Sequence, residues 1–92
     1  MPYAHEHACR LRDPDEFAAR SFRSMQRRHG VKPYRVILGK LRGASGPDDP
    51  MVEQTYRYPT SAWTEQEARV HCREHDGRFF EPATRERERV HG

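Results

Sequence analysis

Apolar residues recur at helical spacing between residues 13 and 30 and predict a first helix. Asp13 and Glu16 match the two ends of a capping box, Pro14 fits the first helical position, and Gly30 is a typical helix stop. Arginines occupy most of the remaining positions. The residues on the shared face are Phe17, Ser21, Phe22 and Met25.

Two segments in the middle of the chain predict strands. Residues 33–41, "PYRVILGKL", are rich in β-branched and apolar residues. Residues 51–59, "MVEQTYRYP", alternate, and we expect Tyr56 and Tyr58 to be buried with Arg57 exposed on the opposite face. The loop between the segments is rich in Gly and Pro, which favours antiparallel pairing of the two strands.

A second helix and a short last strand follow. Thr64 and Glu67 match another capping box, and Gly77 is a typical stop. The segment "RFFEP" (78–82) predicts a strand that ends at Pro82. The packing stripe of this helix consists of Ala68, His71, Cys72 and His75.

The predicted order is therefore helix, strand, strand, helix, strand. We expect a single small α+β domain over residues 1–83, in which an antiparallel sheet packs on two helices. Residues 84–92 are charged and contain few apolar side chains, which predicts a flexible tail.

The stretch "HCREH" (71–75) matches the His-x-x-Glu-His pattern of one class of zinc peptidases. His71 and His75 would lie one helical turn apart with Glu74 beside them, and Glu81 or a glutamate of the tail could supply a third ligand. However, the two histidines also occupy the only face that this helix has for burial. We therefore interpret them as half-buried packing residues, and we expect no metal, no cofactor and no enzymatic activity.

A second group of candidate ligands lies near the N-terminus. In "HEHAC" (5–9), His5, His7 and Cys9 alternate, as they would in an extended edge strand or in a structural zinc site completed by Cys72 or His75. The sequence leaves open whether the two groups meet. Because two cysteines are fewer than a disulfide framework usually contains, we expect Cys9 and Cys72 to be reduced thiols.

The composition excludes few classes of function. The 92 residues include 17 Lys and Arg against 14 Asp and Glu, which gives a net charge of +3. Since the two signs are interspersed, this balance favours nucleic-acid binding only weakly. No apolar run has the length of a membrane span or a signal peptide, so we expect no membrane association and a cytoplasmic location in the host cell.

Three stretches together resemble a short module of tailed-bacteriophage proteins: "EHACRLRDPDEF", "RYPTSAWTEQEA" and "ARVHCREHDGRFFEPA". That module is found in or beside prohead maturation proteases and head-morphogenesis proteins. The resemblance covers roughly residues 2–83, although Ala4-His5 stands where the module usually has Pro-Asn. It implies a phage or prophage origin without catalytic activity, because 92 residues leave no room for a protease domain beside the module.

Three functions agree with these features. The first is a non-enzymatic phage or prophage protein that binds another protein, in association with head maturation. The second is a phage inhibitor of a bacterial defence system of the anti-CRISPR type, and the third is a nucleic-acid-binding accessory factor. Arg35 and Arg57 are expected to form an exposed basic face for an acidic partner or for phosphates. The candidate partner-binding residues are Arg10, Arg12, Arg35 and Arg57, with Arg69 and Arg73 added in the nucleic-acid alternative.

Overall fold

Five antiparallel strands form one sheet in the described residues, and one α-helix packs on one of its faces. The computed structural model describes residues 3–44, 46 and 48–84. Along the chain the elements are β1 (Glu6–Arg10), a 3₁₀ turn (Pro14–Glu16), β2 (Arg23–His29), β3 (Lys32–Gly39), β4 (Val52–Pro59), α1 (Glu65–Glu74) and β5 (Phe79–Glu81). Across the sheet the strands lie in the order β2-β3-β4-β1-β5.

The predicted fold class, an α+β domain whose sheet packs on two helices, is wrong. The described residues form a mostly antiparallel sheet with one helix, and the segment predicted as the first helix is a 3₁₀ turn followed by β2. The predicted order of elements also lacks β1. This strand lies between β4 and β5 and is therefore not an edge strand.

The predicted start of the first helix is correct, but the helical segment that begins there is a single 3₁₀ turn. Asp13 caps the 3₁₀ turn, and its capping box with Glu16 is complete. Phe17 then adopts extended backbone, is buried, and forms a bridge to Leu41 after β3. At Arg20 the φ angle is +67°, so the chain changes direction before β2. Pairing with β3 therefore overrides the helical spacing of the apolar residues.

The three predicted strands are confirmed as β3, β4 and β5. β3 and β4 pair antiparallel, with Val36 opposite Tyr56. Tyr56 and Tyr58 are buried, and alternation places Arg57 on the opposite face, as predicted.

The second predicted helix is confirmed as α1, and its capping box is complete. The Glu67 N–H donates to the Thr64 hydroxyl oxygen, and the Thr64 N–H donates to the Glu67 carboxylate. The helix buries Ala68, His71 and Cys72, whereas His75 is exposed at its C-terminal end. The prediction of two half-buried packing residues holds only in part, because His71 is fully buried, whereas His75 is exposed and packs on the His71 ring.

A disulfide bond joins Cys9 of β1 to Cys72 of α1, so the prediction of reduced thiols is wrong. The two cysteines are 63 residues apart in sequence, and they meet because β1 lies under the helix. In the chain-entropy model, a crosslink that closes a loop of this length stabilises the folded state by about 4 kcal/mol. Gly77 lies against both sulfur atoms, and a Cβ at this position would overlap them.

His71 lies within a group of aromatic side chains under α1. Only 3% of its surface is exposed, and its Nδ1 is hydrogen-bonded to the Tyr58 hydroxyl at 2.8 Å. Its Nε2 has no hydrogen-bond partner among the described residues. Burial, and then the neighbouring imidazoles, lower the pKa of His71 to about 4. The surrounding rings are His29, Tyr34, Tyr56, Tyr58, Trp63 and His75.

The predicted flexible tail begins at Thr84, whose N–H donates to the Tyr3 carbonyl at 2.9 Å. Residues 85–92, which make up the rest of that tail, lie outside the described residues. Within the part of the chain that is described, no helix is long and apolar enough to cross a membrane.

We predict that protonation of His71 destabilises the fold as the pH decreases. Its pKa is 6.5 as a free side chain and about 4 in the folded protein, so the unfolded state binds more protons between these values. The contribution of His71 to the free energy of unfolding is therefore fully present above pH 6.5 and falls by roughly 3 kcal/mol as the pH approaches 4. Urea denaturation of the wild type and of His71→Gln checks this. Glutamine can still accept the Tyr58 hydrogen bond but cannot titrate, so the wild type should lose more stability; parallel pH profiles would contradict the prediction.

Candidate protein-binding face of the sheet

The face of the sheet opposite α1 is not covered by a helix within the described ranges. The strand register assigns residues to this side, because Arg57 lies opposite both Ala8 of β1 and Arg35 of β3. We name this surface the open face. It consists of Tyr3, Glu6, Ala8, Arg10, Arg35, Ile37, Thr55 and Arg57.

A shallow cavity of about 310 Å³ lies on the open face. Ala8, Ile37 and Thr55 supply small or apolar side chains to its lining. Gln54 also lines the cavity, and it is held on two sides: its Nε2 donates to the Arg12 carbonyl at 2.9 Å, and its Oε1 accepts from the Thr55 hydroxyl at 2.6 Å. The cavity is thus a depression with a fixed polar wall.

Glu6 joins the two central arginines of the open face. Arg35 and Arg57 lie directly opposite each other on β3 and β4, a position in which like charges repel. The Glu6 carboxylate lies between them, with one oxygen 2.8 Å from Arg57 and the other 3.1 Å from Arg35. Because these side chains are only 19–36% exposed, water compensates little of the repulsion that would remain without Glu6.

Aromatic rings fix two arginines of this region. The Arg57 guanidinium carbon lies 3.6 Å from the centre of the Tyr3 ring, and that of Arg10 lies 5.7 Å from the centre of the Phe79 ring. Tyr3 is 40% exposed and Phe79 is 52% exposed, so both stacked pairs are accessible from outside. The open face therefore presents arginines in defined orientations on accessible aromatic rings.

The structure brings together three of the four predicted partner-binding residues. Arg10, Arg35 and Arg57 lie on the open face, whereas Arg12 follows β1 and pairs with Glu16 at 2.9 Å. The expectation of an exposed basic face stays a prediction, because Arg35 and Arg57 are only partly exposed and share the carboxylate of Glu6. A charge reversal of both arginines would place three carboxylates together and is not a clean test of binding.

Glu6 and Tyr3 are the residues of this site that sequence reasoning missed. Tyr3, His7 and Cys9 alternate in sequence, which predicts a common face. Bends at residues 4 and 5 interrupt the extended chain, so Tyr3 reaches the open face while Cys9 faces the helix. The register of β1 on β4, which brings Glu6 to Arg57, has no local sequence signature.

The two histidines of the zinc-like motif lie against each other in this fold. The rings of His71 and His75 stack with centres 4.0 Å apart, and Nδ1 of His75 is 2.8 Å from the His71 carbonyl oxygen. The sulfurs of Cys9 and Cys72 are bonded to each other. Among the residues that the structure describes, no three or more His, Cys, Asp and Glu side chains are arranged to hold a metal ion.

Comparisons with protein-family models, with curated proteins and with solved structures found no match to this chain. The resemblance to a tailed-phage module therefore rests on the quoted motifs alone. The geometry of the open face is the basis for the functional argument that follows.

We predict that Glu6→Gln lowers the free energy of unfolding by about 1–3 kcal/mol, because it leaves two facing arginines without their shared carboxylate. Chemical denaturation measures this change. Glu74→Gln, on the exposed side of α1, is the control and should change stability by less than about 0.5 kcal/mol. The double variant Glu6→Gln/Arg35→Gln should recover part of the loss. Equal stabilities of Glu6→Gln and the control would show that the three charges are not coupled.

Proposed function

We propose that the protein is a non-enzymatic binding module that binds another protein through the open face of its sheet. The observation that carries this proposal is the assembly of Tyr3, Arg57, Glu6 and Arg35 on a sheet face that no helix covers in the described ranges. Tyrosine and arginine are enriched in protein interfaces and contribute a large share of the binding energy there.

The fixed orientation of these side chains supports a binding role. A flexible arginine loses conformational entropy when it is immobilised by a partner. Arg57 is already held by the Tyr3 ring and by Glu6, and its Nε has no hydrogen-bond partner among the described residues. The open face is therefore organised before a partner arrives, which lowers the cost of binding.

The distribution of charge favours a protein partner over a nucleic acid. Nucleic-acid affinity arises largely from cations that neutralise phosphates. On the open face the arginines share Glu6, and Glu81 also lines the cavity, so cations and carboxylates alternate across the surface. A mixed surface of this kind is complementary to another mixed surface, as in most protein–protein interfaces.

The resemblance to a tailed-phage module directs the proposal towards a phage or host protein as partner. A head-assembly protein and a host defence protein are the two classes that an experiment should distinguish. A partner of either class would bind the open face.

Affinity capture from infected host cells, with quantitative mass spectrometry, tests this function. Arg10→Glu changes the charge of the open face without breaking the Glu6 pairs, and we expect it to weaken capture of the partner by about tenfold. Arg73→Glu is the matched control, because it is the same substitution on the exposed side of α1. It should leave capture unchanged.

The identity of the captured protein separates head assembly from host defence. Equal capture by the wild type and by Arg10→Glu, with both proteins folded, would exclude the open face as the binding surface. Loss of capture after nuclease treatment would instead support the nucleic-acid alternative.

A further inference from the structure

The β2–β3 hairpin and its flanking segments contain basic side chains but no acidic ones. Residues 17–47 contain eight of the 17 Lys and Arg residues of the chain and no Asp or Glu, so the description of the two signs as interspersed does not hold for this segment. All of the acidic residues lie before or after this segment. Its interactions with the rest of the domain and with other molecules are therefore dominated by positive charge.

Three of these cations are paired with carboxylates from other elements. Arg27 pairs with Glu53 of β4, Lys32 with Glu67 of α1, and Arg35 with Glu6 of β1. Burial alone would raise the pKa of Glu53, but hydrogen bonds from Tyr56 and Arg27 hold that pKa below its ordinary value. These three cations are therefore paired within the domain.

The two remaining arginines of β2 are not compensated by a carboxylate among the described residues. Arg23 donates to the Phe22 carbonyl at 2.9 Å, and Arg28 donates to the Val31 carbonyl at 3.3 Å. Both side chains are exposed. Their positive charges are consequently available to a partner.

β2 is also an edge strand with a free side. Among the described residues it pairs with β3 on one side only, over the seven residues Arg23–His29, and six of these residues are exposed. In an edge strand, the N–H and C=O groups of alternate residues point away from the sheet and can accept another strand. The free edge of β2 thus combines unpaired main-chain groups with uncompensated positive charge.

Charge decides which kind of strand fits this edge. If β2 of a second copy paired antiparallel about Gln26, Arg23 would lie opposite His29, and each strand would bring only positive charge to the contact. Arg23 and Arg28 lie on opposite faces of β2, so an extended acidic segment with carboxylates on both of its faces would fit beside them. An apolar residue of that segment could cover Met25, which is 47% exposed.

We propose that the free edge of β2 binds an extended acidic segment of another protein, which adds a sixth strand to the sheet. This interaction surface is separate from the open face. The proposal does not depend on the function argued above.

Fluorescence anisotropy tests the proposal at low ionic strength with a labelled peptide that carries glutamates on both faces of its extended form and one valine at its centre, because Arg23 and Arg28 face opposite sides of β2. We expect saturable binding by the wild-type protein. The same peptide with N-methyl groups on two consecutive central residues keeps its charge but loses one main-chain donor on each edge. It should bind at least about tenfold more weakly if a strand is added. Equal binding of the two peptides would reduce the interaction to charge attraction and overturn the proposal.

Protein variants locate the peptide. Arg23→Glu/Arg28→Glu should weaken binding by about tenfold or more. Arg73→Glu/Arg78→Glu makes the same change in net charge at exposed arginines of α1 and of the segment before β5, away from β2, and should have little effect. An equal loss in both double variants would contradict a site on β2.

A labelled oligothymidylate of 20 nucleotides completes the test. Tighter binding of this oligonucleotide than of the acidic peptide, abolished by Arg23→Glu/Arg28→Glu, would assign the β2 edge to nucleic acid and overturn the proposal. The peptide comparison does not depend on the variants, so it stays decisive if a double variant fails to fold.

Discussion

The crosslink between Cys9 and Cys72 determines which face of the sheet the helix covers. It attaches the middle of β1 to α1, while His71, one residue before Cys72, enters the aromatic group below the helix. The disulfide at Cys72 and the buried ring of His71 thus attach adjacent positions of the helix to the sheet. Gly77 completes this arrangement, because only a residue without a side chain fits beside the two sulfurs.

The proposed binding face lies opposite α1, on the side of the sheet that no helix covers in the described residues. α1 has ten residues, and the aromatic side chains of β3 and β4 point towards it, so the large apolar groups are concentrated on one side of the sheet. The other side carries ion pairs together with Tyr3, Phe22 and Ile37. There Glu6 holds two facing arginines in place, and Tyr3 shields one of them. The proposed binding face is therefore a consequence of how the core is filled.

Sequence patterns correctly predicted the elements that depend on neighbouring residues in the chain. The alternation around Tyr56 and Tyr58 gave the correct buried face of β4, and the Thr64 capping box gave the correct start of α1. β2 was not predictable in this way, because the Asp13 capping box is genuine and only pairing with β3 extends the following chain. The role of Glu6 depends on the register of three strands, and the pairing of the cysteines depends on the position of the helix. Both are tertiary properties.

Hydroxyl-radical footprinting with mass spectrometry, on the protein with its disulfide intact, tests most directly whether the helix covers one face and leaves the other open. The account predicts rapid oxidation of Tyr3 and Phe79, which are 40% and 52% exposed. It predicts protection of Tyr56 and Trp63, which are 2% and 3% exposed beneath the helix. Oxidation of Tyr56 and Trp63 as fast as that of Tyr3 would contradict it.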